Sequence, residues 1–270
     1  FEAVLDMMAS GQLDVKSLIT HRFEFECAQD AYKTLTDDRS ALGIMLEYSS
    51  DVESRLVRKV ELKNQVDFRK DVPTIGFIGA GNYASRVLIP AFKEVGAQLH
   101  TLATAGGISS VVHGSKAGFA EASTDVDEML GNAEINTVAI VTRHDSHASF
   151  VCKSLVAGKH TFVEKPLAID FDGLQQVQSA YGGQLQSNAA PQLMVGFNRR
   201  YAPQVRKIKD LLVPVKEPKS FIMTMNAGAI PPDHWTQDNR IGGGRIIGEA
   251  CHFIDLMRFL SGSEIVSVQA

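Results

Sequence analysis

From residue 72 onward, short apolar runs alternate with longer stretches in which apolar residues return every three to four positions. The runs at 73–78, 97–103, 136–141, 160–163 and 192–196, with a weaker one near 119–122, read as buried strands, and the stretches between them as helices. The first helix, residues 83–95, is expected to turn Val87, Leu88, Ala91, Phe92 and Val95 to one face. Strands and helices at this spacing predict βαβ units with right-handed crossovers. The expected fold class is therefore α/β, a Rossmann-type doubly wound parallel sheet with its ligand crevice outside the carboxyl ends of the strands. After residue 200 the pattern changes to a helix at 202–212, a long strand at 219–226, a polar loop, the run Gly242-Gly243-Gly244, a helix to about Leu260 and a strand-like run at 264–268. This part reads as an α+β substrate domain that looks cut short at Ala270.

The first 50 residues form a unit of their own: a helix through Val4 to Met8, an extended stretch at 17–22, a helix at 27–35 and a strand at 42–48. Such a piece is too small to bury a core alone. Residues 51–71 are dense in charge and read as a solvated strand or linker, with a domain boundary near 71. The expected domains are thus 1–50, the linker 51–71, a dinucleotide-binding domain at 72–196, and the start of a substrate and oligomerisation domain at 197–270.

Composition narrows the partners. A net charge of −4 supplies no basic field for nucleic acid, which leaves a small molecule as the expected ligand. The three cysteines, Cys27, Cys152 and Cys251, are widely spaced and form no C-x-x-C pair, so a reducing cytoplasm fits better than a disulfide scaffold or zinc ribbon. No apolar run approaches the roughly 20 residues of a membrane span, so no membrane partner is expected.

The candidate chemistry sits at strand ends. Ile75 to Ala84 reads I-G-F-I-G-A-G-N-Y-A. Gly79 suits the tight turn and Gly81 leaves the phosphates unobstructed. Asn82 and Tyr83 open the helix, and Ala84 is the third small position, where helix and strand pack closely. A helix N-terminus there offers free N–H groups to a pyrophosphate. Lys165, between Glu164 and Pro166, follows an apolar strand; its ammonium can stabilise an alkoxide during hydride transfer, and a cis bond to Pro166 would turn it into the crevice. A solvated lysine at a strand end is the alternative. His252 lies on an apolar helix where Glu249, His252 and Asp255 recur every third residue, the pattern of an imidazole base with carboxylate neighbours or of a solvated stripe. Thr142 and His147 follow the fourth strand, with His147 placed to line the nicotinamide region; a helix-capping role for Asp145 or Ser146 explains the same segment. His144, nearby, completes no H-x-x-x-H or other metal-ligand pattern, and no metal is expected.

Taken in order, G-A-G-N-Y-A, E-K-P, N-R-R-Y-A-P and G-G-G-R-I-I-G-E-A-C-H-F-I-D resemble the glucose–fructose oxidoreductase / inositol dehydrogenase / MocA family of NAD(P)-dependent dehydrogenases over about residues 72–270. The resemblance implies a nicotinamide cofactor, a sugar or cyclitol substrate, Lys165 as the catalytic lysine of E-K-P and His252 as the catalytic histidine. Glu249 is the candidate acid partner, with Arg200, His234, Trp235 and Asp255 on the substrate side and a homo-oligomer in the intact protein. Two departures stand out. Members usually carry an aspartate four residues before the histidine, where this chain has Gly248. The acid that often ends the second strand is replaced by Thr104, so NADP fits as well as NAD. Residues 1–50, with G-Q-L-D-V-K-S-L-I-T-H-R-F-E-F-E-C-A-Q-D-A-Y and L-G-I-M-L-E-Y, resemble the C-terminal tail of zinc-type medium-chain alcohol dehydrogenases. The whole then looks like the middle of a two-enzyme fusion of the kind associated with bacterial surface-polysaccharide pathways. Hydride transfer to or from a sugar carbon is the leading expectation. Glycoside hydrolysis through transient oxidation and a non-catalytic binding module are the alternatives.

Overall fold

The structure, a computed structural model, describes residues 1–48, 57–63, 66–185 and 190–269. The chain divides into two compact units, Phe1–Val57 and Arg58–Ala270. In the first, helix α1 (Glu2–Ala9) precedes strand β1 (Ile19–Glu24), helix α2 (Ala28–Asp37) and strand β2 (Gly43–Glu47), close to the expected elements. β1 and β2 pair in parallel, with α2 as the connection between them.

The second unit is built on a seven-stranded sheet. Its strands are β3 (Lys59–Glu61), β4 (Thr74–Ile78), β5 (Gln98–Ala103), β6 (Glu121–Ser123), β7 (Thr137–Ile140), β8 (His160–Val163) and β9 (Leu193–Val195), in the spatial order β3-β6-β5-β4-β7-β8-β9. The six strands from β4 onward pair in parallel and β3 pairs antiparallel to β6. Reversal of the order on either side of β4 marks the doubly wound topology, with a ligand crevice expected at the carboxyl ends. The boundary expected near 71 falls instead between Val57 and Arg58. The reason is β3 itself: it is an edge strand with three exposed residues, and charge on an edge discourages further pairing, so it looks like a linker in sequence. Leu62 then packs into the core beneath the sheet, and the Gln98 side chain holds the backbone of Arg69. The rest of that expected linker, 51–56 and 64–65, lies outside the described residues.

Helices α3 (Ile89–Glu94), α4 (Ile108–Ala117), α5 (Val126–Gly131), α6 (His147–Val156) and α7 (Phe171–Gln184) connect these strands. Every residue of β4 is buried, because helices cover both of its faces. One core layer joins Ile78, Val138, Ile140, Val151, Leu155 and Val163; the other centres on Phe77, whose ring meets Phe92 and Phe119 edge to face. A π-helical turn at Ala84–Leu88 leads into α3. The wider turn adds a residue and changes the buried face. Ala84 and Ile89 are buried, with Leu88 and Phe92 partly so, whereas Val87, Ala91 and Val95, expected on the same face, are exposed.

Helix α8 (Pro203–Leu212) and helix α9 (Cys251–Ser261), the latter entered through a second π turn at Ile246–Ala250, complete the unit. The strands expected at 219–226 and 264–268 are not formed. Both segments are extended in pattern, yet neither meets a neighbouring strand among the described residues, and a strand exists only through its neighbour's N–H and C=O groups. Ile222 is 94% and Val266 95% exposed as a result.

Candidate active site

The glycine turn follows β4 directly. Gly79 has φ +105° and donates its N–H to Ala103 O at 2.8 Å. A Cβ on Gly79 would lie 2.7 Å from the carbonyl oxygen of Val141, so the turn and the end of β7 are in backbone contact. Gly81 is different: a Cβ there would have nothing within 4 Å. It faces open space where a ligand approaches. Ala84, 2% exposed, seats the helix on the sheet, and the N–H groups of the first helical turn at Asn82 and Tyr83 have no intrahelical acceptor. A cleft of about 790 Å³ opens here, bordered by Gly79, Gly81, Thr104, Gly106, Thr142 and Ser146. The end of β5 contributes Thr104, whose hydroxyl accepts from Gly107 N–H, and no carboxylate.

A second cleft of about 420 Å³ shares Gly81, Val141 and Thr142 with the first. Asn82, Tyr83, Ala84, His147, Glu164 and Lys165 reach it from the sheet side, and Asn198, Trp235 and His252 from later in the chain. Lys165 Nζ donates to the carbonyl oxygen of Gly248 at 2.7 Å. The Lys165–Pro166 bond is cis. Glu164 accepts from the Lys165 backbone N–H, and burial pushes its carboxyl above the usual range against the pull of Lys165. His147 is fully buried with Nδ1 2.7 Å from Pro166 O and Nε2 3.1 Å from Thr142 O, so it binds the E-K-P turn to the end of β7. Neither Asp145 nor Ser146 caps α6 with a side chain; Ser146 Oγ instead lies 2.6 Å from the Thr142 hydroxyl.

His252 is 7% exposed, with Nδ1 sealed from solvent and without a partner among the described residues. Burial, then the Lys165 ammonium and Arg199, push its pKa down to about 4, while Asp255 and Glu249 pull weakly the other way. The imidazole is therefore neutral at neutral pH.

The stripe Glu249, His252, Asp255 does not converge. The π turn at Ile246–Ala250 inserts a residue ahead of α9 and splits the phase of the stripe. Glu249 turns to Arg245, 3.0 Å away, and borders an apolar groove with Met223, Phe253 and Met257 rather than the cleft. Asp255 pairs with Arg200 through two hydrogen bonds, which fastens the 3-10 turn Asn198–Tyr201 to α9. Neither residue borders the cleft. His234 bonds the Thr236 hydroxyl and also lies off the cleft, whereas Trp235 lines it. Three lining residues, Val141, His144 and Asn198, were not among the expected site residues. Asn198 donates to the Tyr83 hydroxyl at 3.0 Å, and His144 places Nδ1 2.8 Å from Gly242 O. Asn198 opens the N-R-R-Y-A-P run and His144 follows the fourth strand beside His147, so sequence position marks both, without giving either a role.

The model of the GFO_IDH_MocA family, an oxidoreductase family with an NAD-binding Rossmann fold, matches residues 74–184. The chain is 30% identical over 147 residues to an inositol 2-dehydrogenase of Rhizobium meliloti, covering 54% of this chain and 42% of that protein. It is 23% identical over 189 residues to a 1,5-anhydro-D-fructose reductase of Ensifer adhaerens, covering 68% of this chain and 55% of that one. The chain thus spans about half the length of the curated relatives it matches. A 3-ketoreductase from Actinomadura kijaniata, solved in complex with NADP and TDP-benzene, superposes with a TM-score of 0.58 at 19% identity, over 70% of this chain and 57% of that one. At that identity the likeness shows the fold alone. Sheet order and glycine turn agree with the family model that residues 74–184 form a Rossmann domain similar to the NAD-binding domain of the GFO_IDH_MocA oxidoreductases.

Proposed function

We propose that the chain belongs to an NAD(P)-dependent oxidoreductase that moves a hydride between nicotinamide and a hydroxyl-bearing carbon of a sugar, nucleotide sugar or cyclitol. The observation that carries this reading is the convergence of Lys165 and His252 on one cleft that runs into the glycine-turn cleft. The open face of Gly81 and the free N–H groups of Asn82 and Tyr83 fit a pyrophosphate; Thr104 suits the adenosine ribose, without a carboxylate to repel a 2′-phosphate. Thr142 borders both clefts, His147 and Glu164 line the second, and His147 Nδ1 lies against the carbonyl oxygen of Pro166.

A nicotinamide bound there supplies the acceptor for the hydride that leaves the substrate carbon with its electron pair. Lys165 donates a hydrogen bond to the reacting oxygen and stabilises the alkoxide. His252, held neutral, takes the hydroxyl proton and passes it to solvent. In the reverse direction the same imidazole returns a proton to the oxygen. The names of the relatives, an inositol 2-dehydrogenase and an anhydrofructose reductase, support a polyol or sugar substrate.

Appearance of reduced nicotinamide with NAD or NADP and a panel of cyclitols and hexoses tests the reading. Turnover that Lys165→Ala abolishes is the expected result; full turnover by that variant sinks it. The same proposal includes a cytoplasmic homo-oligomer, and for residues 1–50 the tail of a zinc-type medium-chain dehydrogenase joined in a fusion serving surface-polysaccharide synthesis. A monomer in sedimentation velocity would remove the homo-oligomer. Failure of the upstream coding sequence to specify a zinc-type dehydrogenase would remove the fusion.

A further inference from the structure

The turn after β7 contains a polar group that the mechanism above does not use. His144 is 8% exposed and borders the same cleft as Lys165 and His252. Its Nδ1 lies 2.8 Å from the carbonyl oxygen of Gly242, an atom that only accepts, so Nδ1 carries the ring proton. In the neutral ring Nε2 is then a bare acceptor. That nitrogen makes no hydrogen bond among the described residues, and it is not sealed from solvent as His252 Nδ1 is.

The ring is held by the Gly242 carbonyl and by Trp235, and it lies against Gly248 on a third side. Trp235 meets it edge-on with centroids 4.9 Å apart, and the neighbouring Asp145 N–H donates to Ile241 O at 3.0 Å, so residues 144 and 145 both grip the segment carrying the glycine run. The third side is Gly248. A Cβ there would lie 3.0 Å from His144 Cε1, closer than ordinary packing allows. The imidazole therefore fills the space that any side chain at 248 would enter. The absence of a side chain at 248 and the presence of His144 are one arrangement.

We infer that His144 is a substrate-binding residue whose Nε2 accepts a hydrogen bond from a second hydroxyl of the ring held at Lys165 and His252, an inference that rests on the proposed hydride transfer. Charge agrees with the geometry. Burial first, and then the charge of Lys165 and the nearby His147, lower the His144 pKa against the bond to Gly242, so Nε2 stays unprotonated at neutral pH. An acceptor in that place refuses a keto or carboxylate oxygen, because two lone pairs then face each other with no proton between them. The ligand class follows: a ring bearing the reacting hydroxyl and a further free hydroxyl, and not its deoxy, O-alkyl or carboxylate counterpart at that second position.

Two measurements on the full chain decide it. Long-range proton–nitrogen spectra of the imidazoles at neutral pH need no substrate. The expected result is Nδ1–H with unprotonated Nε2 at His144, and an Nε2–H tautomer or an imidazolium overturns the inference. The second is steady-state kinetics with NAD, myo-inositol and its monodeoxy analogues. His144→Phe should raise KM tenfold or more with kcat changed less than threefold, the penalty should vanish for one deoxy analogue, and His144→Asn, which keeps a donor and an acceptor, should recover most of the loss. A uniform penalty across the analogues, or a fall in kcat alone, overturns the inference even where thermal melting shows both variants folded. No turnover of any polyol by the unaltered chain would overturn the proposed function, and the tautomer measurement would still decide the state of His144.

Discussion

The ammonium of Lys165 lies 2.7 Å from the carbonyl oxygen of Gly248, which fastens the end of β8 to the π turn that begins the His252 helix. The Lys165 ammonium from the Rossmann sheet and the His252 imidazole from α9 thus line one cleft. The Lys165 ammonium also helps to lower the pKa of the His252 imidazole, since a nearby positive charge disfavours a second one.

Removal of that cation should act on chemistry and spare the cofactor. Lys165→Met retains most of the side chain's bulk and loses its donor, so kcat for polyol oxidation is expected to fall by about 10²–10⁴-fold. Binding of NADH, followed by fluorescence titration, should change less than about threefold, because on the proposed course of the cofactor the pyrophosphate lies at the glycine turn and not at Lys165. Equal losses in both measurements would make Lys165 a structural residue.

Gly248→Asp tests the steric relation between positions 248 and 144. With a Cβ 3.0 Å from the His144 ring and 3.3 Å from Gly242 O, the variant is expected to lose about 1–3 kcal/mol of stability in urea unfolding. Adding His144→Ala should recover much of that loss. A pair of effects that simply add would mean that the two positions are not in contact.

Most of the sheet was legible because each buried strand is a short apolar run closed by a glycine, a threonine or a charged turn, and the strand ends carry Gly79, Gly81, Thr142 and Lys165 with them. What stayed hidden depends on distant partners. β3 looks like a linker because an edge strand wears charge. Glu249 looks like a partner for His252 because helical periodicity assumes 3.6 residues per turn, and the π turn at Ile246–Ala250 breaks that count. His144 takes its role from a carbonyl at Gly242 and from a side chain that Gly248 lacks, and neither leaves a trace in the residues around position 144.

The depressed pKa of His252 links stability to pH. In the unfolded chain the imidazole takes up its proton near 6.5, whereas in the fold it does so only at about 4. The stabilising difference is therefore fully present above pH 6.5 and is lost as pH falls from 6.5 toward 4, because over that window the unfolded state binds the proton and the folded state does not. By pH 5 this one group should account for about 2 kcal/mol of lost stability relative to pH 7. Urea unfolding of the protein and of His252→Gln at both pH values should show the unaltered chain losing more by about that amount. Equal losses would mean that His252 titrates normally in the fold.

Gly79 and Gly81, two residues apart in the same turn, should fail in opposite ways when each is replaced by alanine. Gly79 combines φ +105° with a Cβ position 2.7 Å from Val141 O, so Gly79→Ala must strain the backbone or part the turn from β7. The expected cost is about 1–3 kcal/mol in unfolding experiments, with cofactor affinity falling as a consequence. At Gly81 no positive φ is required and a methyl group would touch nothing within 4 Å, so Gly81→Ala should melt within a degree or two of the unaltered chain. Its methyl group would nevertheless stand in the open face that the pyrophosphate needs, where close backbone approach is the reason for glycine. Calorimetric titration with NADH should show affinity reduced tenfold or more at unchanged stability. A Gly81→Ala protein that binds the dinucleotide as well as its parent would place the pyrophosphate elsewhere, and the course proposed for the cofactor through the two joined clefts would go with it.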